Sequence, residues 1–379
     1  MPKTALWEKH SWRPTWLRSS RTSLLLTMAC AVCISGALVT EANAAEWTVQ
    51  STPSPTAFSS LADVSCASTK ECLAVGEESG VVRPLDLRWN GTAWGTLTST
   101  GLKNGLDEIS CVSSAFCMAI VGPGEEAQRW NGSGWTTVNL EKPPTSVQTA
   151  LYGVSCVSAT FCVAVGEYEI AGGHDRTLAE SWNGTAWTVL STPSEEGGLN
   201  YLDSVSCTTS TSCTAIGTKG GRAIALRWNG TGWSALGTPN AASNTYGDVS
   251  CTAPNACVAE LGNSAAVERW DGTSWTAYTV PTPTGGSAPS LNGVSCASEI
   301  ACFAVGSYTK EAKTLTLAEL WNGESWVAVP TPNPAKENLL TSVSCRRTAS
   351  LVCTAVGYNA ESPGELAFKE GKTLAVRYQ

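Results

Sequence analysis

Residues 151–193 read LYGVSC (151–156), FCVAVGEY (161–168), TLAESWNG (177–184) and TAWTVLSTP (185–193), four apolar runs separated by short polar turns. Val, Thr, Trp and Phe fill these runs, Gly, Asn, Ser and Pro bound them, and no apolar stripe of helical period appears. Each run therefore reads as a strand. Cys156 and Cys162 bracket the first turn, and Asn183-Gly184 makes the third. Asn-Gly between two strands is a strong hairpin signal, because a type I′ turn needs positive φ at both central residues. On that reading Trp182 pairs with Thr185 and Glu180 with Trp187, which sets the two tryptophans diagonally on one face, as core between stacked sheets.

The same unit recurs along the chain. Cys66/Cys72, Cys111/Cys117, Cys156/Cys162, Cys207/Cys213, Cys251/Cys257, Cys296/Cys302 and Cys345/Cys353 open seven units, at intervals of 45, 45, 51, 44, 45 and 49 residues. A second motif, Trp-Asn/Asp-Gly-x-x-Trp, follows six of them: Trp89/Trp94, Trp130/Trp135, Trp182/Trp187, Trp228/Trp233, Trp270/Trp275 and Trp321/Trp326. A period of this length marks a repeat architecture in which each unit is one small sheet.

The two ends of the repeat region complement each other. The seventh unit stops at LAVRYQ (374–379), without its fourth strand, whereas Glu46-Trp47-Thr48-Val49-Gln50-Ser51-Thr52-Pro53 matches residues 186–193 with no cysteine pair ahead of it. Tyr378 stands where the other units carry their first tryptophan. The first strand is thus expected to complete the last unit and close a ring, leaving no exposed sheet edge. The expected fold is all-β, a seven-bladed β-propeller of four-stranded antiparallel blades over residues 45–379.

The chain resembles the kelch-like and WD40-like seven-bladed propellers. It resembles more closely the secreted bacterial repeat proteins built from W-N-G-x-x-W and V-S-C-x5-C-x-A-V-G units. No catalytic residue carries over from that resemblance. The copper sites of galactose-oxidase-like propellers use tyrosines and histidines, and the repeat region has a single histidine, His174.

Residues 1–44 read as a signal peptide. Arg13, Arg18 and Arg21 precede an apolar stretch from Leu24 to Val39, and Ala42-Asn43-Ala44 offers a cleavage site. The stretch is too short for a stable membrane span. Without that leader the chain keeps 19 basic and 30 acidic side chains, about −11 at neutral pH. Such a surplus repels phosphate backbones, so nucleic acid is an unsuitable partner. Fourteen cysteines remain, an even number in a secreted chain, which favours disulfides. Bridging within each pair staples a local hairpin and contributes about 2 kcal/mol per bond. A four-thiolate metal site needs two pairs to converge from separate sheets. A redox role favours C-x-x-C, which occurs only in the leader.

In an up-and-down meander successive turns alternate between faces. The cysteine turns and the Asn-Gly turns therefore share one face, and the loops that differ between units share the other. Variable loops on a rigid frame are where recognition concentrates. Glu167, Tyr168, Glu169, His174, Asp175, Tyr308 and Tyr358 fall on that second face and are the candidate ligand-binding residues. The function expected is a non-catalytic binding or scaffold propeller for an extracellular glycan or protein. Two alternatives stand beside it. One is an extracellular hydrolase or lyase using loop carboxylates such as Glu77/Glu78 or Glu125/Glu126; the other is a structural component of the cell envelope. No cofactor is expected and the chain is read as a monomer. Calcium at the acidic loops stays open, although no D-x-D-x-D-G run supports it.

Overall fold

The computed structural model describes residues 45–379 apart from 79–82, 98–104, 122–125, 195–197, 221, 238–246, 263 and 363–370. The leader with its cleavage site, and Glu125, lie outside the described residues. Every regular element among the described residues is a strand. In the first six units four strands pair in sequence order and antiparallel, as the run-and-turn pattern requires. The first strands of the seven units, Ser59–Ser68, Leu106–Ser113, Ser146–Ser158, Asn200–Thr209, Val249–Ala253, Ser287–Ser298 and Glu337–Arg347, contact one another in succession. The seventh returns to the first.

Trp47–Gln50 completes the last unit, with Trp47 opposite Tyr378 and Gln50 opposite Ala375. Glu46 and Gln379 exchange backbone hydrogen bonds at 3.3 and 3.4 Å. Trp47 is 5% exposed and wedges against Phe303 and Tyr378, with ring centroids 5.0 and 5.5 Å away.

The expectation of seven separate blades is corrected. Five blades, those of the first to fifth units, stand alone as four-stranded sheets, and the remaining eight strands form one sheet. In that sheet the sixth and seventh units are joined by a single parallel pairing, Thr314 with Glu337. The cause is local. Asn338 donates its side-chain amide to the Thr314 carbonyl at 3.3 Å, and Asn200 makes the corresponding bond to Asp175 at 3.1 Å. Only the first of these hooks brings the two backbones into ladder register.

The Asn-Gly hairpins also differ from expectation. Trp182 lies directly opposite Trp187, and the other five tryptophan pairs share that register. Gly184 has φ of 100°, but Asn183 is not among the residues with positive φ, so a type I′ turn does not form. Instead the Asn183 side-chain oxygen accepts from the Thr185 N–H, the Thr185 hydroxyl and the Ala186 N–H at 2.8–2.9 Å. The side chain takes over the turn and lengthens the hairpin by two residues. The tryptophans remain core: both are buried, with ring centroids 5.8 Å apart. A Cβ on Gly184 would meet Thr160 of the cysteine turn at 3.0 Å, so the two turns do share one face.

All seven cysteine pairs are bridged within the pair, as Cys66–Cys72, Cys111–Cys117, Cys156–Cys162, Cys207–Cys213, Cys251–Cys257, Cys296–Cys302 and Cys345–Cys353. The partners sit directly opposite in register, as Cys156 does to Cys162 and Cys345 to Cys353. The second cysteine of each pair starts the middle hairpin and faces the first tryptophan of its unit: Cys72 faces Trp89, Cys117 faces Trp130, Cys162 faces Trp182, Cys213 faces Trp228, Cys257 faces Trp270 and Cys302 faces Trp321. In the seventh unit Cys353 faces Tyr378, which takes the tryptophan's place. These seven sulfurs are buried among core side chains, so the bridges are staples of the fold and line none of the three concavities described below.

Beside the bridges runs a belt that the sequence did not announce. The serine before each first cysteine accepts a hydrogen bond from the cysteine N–H of the next unit. Ser65 accepts from Cys111, Ser110 from Cys156, Ser155 from Cys207, Ser206 from Cys251, Ser250 from Cys296, Ser295 from Cys345 and Ser344 from Cys66, all at 2.9–3.0 Å. The belt closes on itself. Apolar packing likewise lies between units rather than within them, as where Val163 and Val165 of the third meet Leu202, Val205 and Trp228 of the fourth. Each such fully buried aliphatic side chain contributes about 1.5–3 kcal/mol.

Candidate functional site

The first strands carry a β-bulge before their cysteines. Register shifts between Leu61 and Asp63, Leu106 and Glu108, Leu151 and Gly153, Leu202 and Ser204, Leu291 and Gly293, and Leu340 and Ser342 leave one extra residue in each. The extra residues are Ala62, Asp107, Tyr152, Asp203, Asn292 and Thr341. A bulge frees its residue from the ladder and re-aims its side chain. The glycine of the A-V-G motif admits the bulge: a Cβ on Gly166 would stand 2.0 Å from the Ala150 carbonyl oxygen.

At the junction of the third and fourth units two bulge residues meet the variable loops. Tyr152 and Asp203, with Tyr201 from the same strand as Asp203, join Glu167 and Asp175 of the neighbouring hairpin and Leu199. Together they line a cleft of about 220 Å³. Tyr152 donates its hydroxyl to Glu167 Oε1 at 2.7 Å. Its ring meets Tyr201 edge-on, centroids 6.3 Å apart and planes at 82°. Leu199 and Tyr152 are 55% and 37% exposed, so apolar surface frames the opening.

The cleft is acidic and partly dry. Burial lifts the Asp203 carboxyl to about 8, and the charge of Glu167 adds to the rise. Burial also raises Glu167; the Tyr152 hydrogen bond opposes this, while the charges of Asp175 and Glu169 reinforce it. The Tyr152 hydroxyl is pushed above the ordinary phenol range by burial and by its bond to Glu167. Asp203 Oδ2 is buried without a hydrogen-bond partner. Such an arrangement can accept hydrogen bonds or charge from a ligand, and it can hold a proton near neutrality.

Of the residues singled out from sequence, Glu167 and Asp175 are brought together here. Glu169 faces Asp175, and His174 faces Ile170, at the end of the same hairpin. Tyr168 packs against the core between the second and third units. Tyr308 lines a separate pocket with Pro283, Leu317 and Thr331, and Tyr358 stacks toward Phe58 at 6.1 Å. The three tyrosines do not converge. Glu77 and Glu78 face Pro84 and Arg83 across their own hairpin, and Glu126 opens the third strand of the second unit. Tyr152, Tyr201 and Asp203 were missed. For Tyr152 and Asp203 a signal was present in the repeat itself, because the residue after the leucine differs among the six units that keep an L-x-x-V/I-S-C frame; Tyr201, which precedes its leucine, had none.

Other sites carry less. A groove of about 560 Å³ runs beside the ring closure, past Gln50, Thr52, Ser54 and Thr373. Its hydroxyls are engaged with one another, Ser54 to Thr373 and Thr373 to Thr52, both at 2.8 Å. Among the described residues no group of three or more His, Cys, Asp or Glu side chains could hold a metal ion.

No protein-family model and no curated protein matches the sequence. Solved structures do. The WD40 repeats of RRP9 superpose with a TM-score of 0.61 at 9% identity, covering 88% of this chain and 98% of that one. Virginiamycin B lyase from Staphylococcus aureus gives 0.57 at 9% identity, over 88% of this chain and 100% of that one. YCF48 bound to D1 peptide gives 0.53 at 12% identity, over 89% of this chain and 96% of that one. At these identities the likeness is one of fold, that of an all-β propeller with four-stranded antiparallel blades.

Proposed function

We propose that the chain is a secreted binding propeller that captures an extracellular protein or glycan on its variable face, with the cleft between the third and fourth units as the contact site. The observation that carries the reading is the convergence of Tyr152, Tyr201, Glu167, Asp175 and Asp203 on one opening. A mostly preformed concavity with aromatic walls and a few polar groups is how proteins hold ligands. The seven disulfides are consistent with an extracellular location. A similar fold in a propeller bound to a peptide supports a binding role, and a WD40 neighbour supports a scaffold.

The test is capture on arrays of extracellular glycans and peptides by the secreted chain and by a Tyr152→Ala/Tyr201→Ala variant. Loss of about tenfold or more in affinity for any captured ligand is expected. Unchanged capture by the variant would sink the cleft as the site.

A lyase reading of the same cleft has one observation in its favour beyond the fold of the Staphylococcus aureus neighbour. Asp203 keeps its proton to about 8 beside the carboxylate of Glu167, an acid next to a base. Product release from a polymer substrate, abolished in Asp203→Asn, would favour it over simple binding.

A further inference from the structure

Glu167, Asp175 and Asp203 line one cleft, and among the described residues no Lys or Arg pairs with any of them. The Asp203 Oδ2 atom is buried and has no donor. An acceptor left in this state is costly, and a ligand that supplies a donor recovers that cost. The other walls, Tyr152, Tyr201 and Leu199, are aromatic or apolar. Acids at the base with an apolar collar complement a side chain that has a methylene stem and a cationic head. Two tyrosine rings set edge-to-face add attraction for a cation. At about 220 Å³ the cleft is smaller than the roughly 300–1,000 Å³ of small-molecule sites, so it suits a single side chain.

We propose that this cleft is a socket for a lysine or arginine side chain presented by a basic segment of an extracellular protein. The proposal rests on the binding role above and narrows the ligand to a cation. Tyr152 holds Glu167 in place through its hydroxyl, and Asp203 supplies the unsatisfied oxygen. The groups that face Asp203 are Glu167, Tyr152, Tyr201 and Asp175 around the cleft, with Glu260 feeling its charge. None of them is cationic. An arriving cation lets Asp203 ionise, and its proton leaves to solvent.

The experiment titrates the secreted chain with a tetralysine peptide, its fully acetylated form and a glucosamine tetramer at physiological salt. Glu167→Gln and Asp203→Asn should each weaken tetralysine binding about tenfold or more. Asp271→Asn makes the same charge change on the opposite face and should alter it less than about twofold. The acetylated peptide should not bind. Because Asp203 is partly buried, thermal melting of each variant is followed in parallel, and the more open Glu167→Gln variant carries the test if Asp203→Asn unfolds. The proposal is overturned by any of four results: no measurable tetralysine binding, equal binding of the acetylated peptide, equal loss in Asp271→Asn, or preference for the glucosamine tetramer. If cleft variants instead abolish capture of a neutral or acidic arrayed ligand, the binding site stands and only its cationic selectivity falls. If they alter no ligand, both fall.

Discussion

The serine just before each first cysteine and the bulge residue three positions earlier lie on the same inner strands, yet the chain treats them oppositely. One is serine in all seven units and ties each unit to the next. The other is Ala62, Asp107, Tyr152, Asp203, Asn292 or Thr341, and in two of these units it lines a cleft. The difference follows from what each position must satisfy. A cysteine N–H faces the neighbouring unit at every junction and needs an acceptor there. The bulge residue owes nothing to the ladder, so its chemistry is free to differ from unit to unit. Regularity at one end of the strand is what allows variety at the other.

The largest effect should come from breaking closure itself. Trp47→Ala removes a buried ring from the strand that completes the last unit and should cost about 3–5 kcal/mol in denaturant unfolding. A cost below about 1 kcal/mol would show that the terminal strand contributes little to closure.

A second effect lies between belt and bulge, three residues before the cysteine. Asp248 accepts from Ser204 of the fourth unit at 2.8 Å and from Val294 N–H of the sixth at 2.9 Å. Burial lifts its carboxyl to about 6 despite these bonds, with the charge of Asp63 adding to the rise. The folded state therefore binds more protons than the unfolded chain between about pH 4 and 6. Stability should fall as pH rises through that window, by about 3 kcal/mol for this group. Asp248→Asn should flatten that part of a stability-against-pH curve. An unchanged slope in the variant would assign the dependence to other buried acids, such as Asp86 and Glu180, both lifted to about 7.

The smallest effect compares the two positions directly. Ser155→Ala leaves the Cys207 N–H without its acceptor and should cost about 1–3 kcal/mol. Tyr152→Ala, four residues before the cysteine on the same strand, should cost less than about 1 kcal/mol, since Ala62 already occupies that place in the first unit. Equal costs in calorimetry would erase the contrast drawn here.

The repeat, the paired cysteines and the matching ends at Trp47 and Tyr378 were legible because each is a covalent or periodic feature of the chain. The register of the tryptophan hairpins was not. Asn-Gly favours one turn by backbone preference, but the Asn183 side chain offers three donors a single oxygen and selects another. Whether the last two units form one sheet or two depends on one backbone pairing at Thr314, a distance that no residue pattern encodes. In the cleft, Glu167 and Asp175 were legible as loop residues on the variable face. Tyr152 and Asp203 were hidden inside strands, because a bulge looks like ordinary alternation until its partner glycine is placed against a carbonyl.

The tie between Glu46 and Gln379 has a consequence for how the gene could be rearranged. With the first and last strands of the repeat region hydrogen-bonded side by side, a short peptide linking residue 379 to residue 46 would add little strain. New termini could then be opened at any junction between units. Circular permutants of this kind should keep the toroid and the belt while choosing which unit is assembled from both ends of the repeat region.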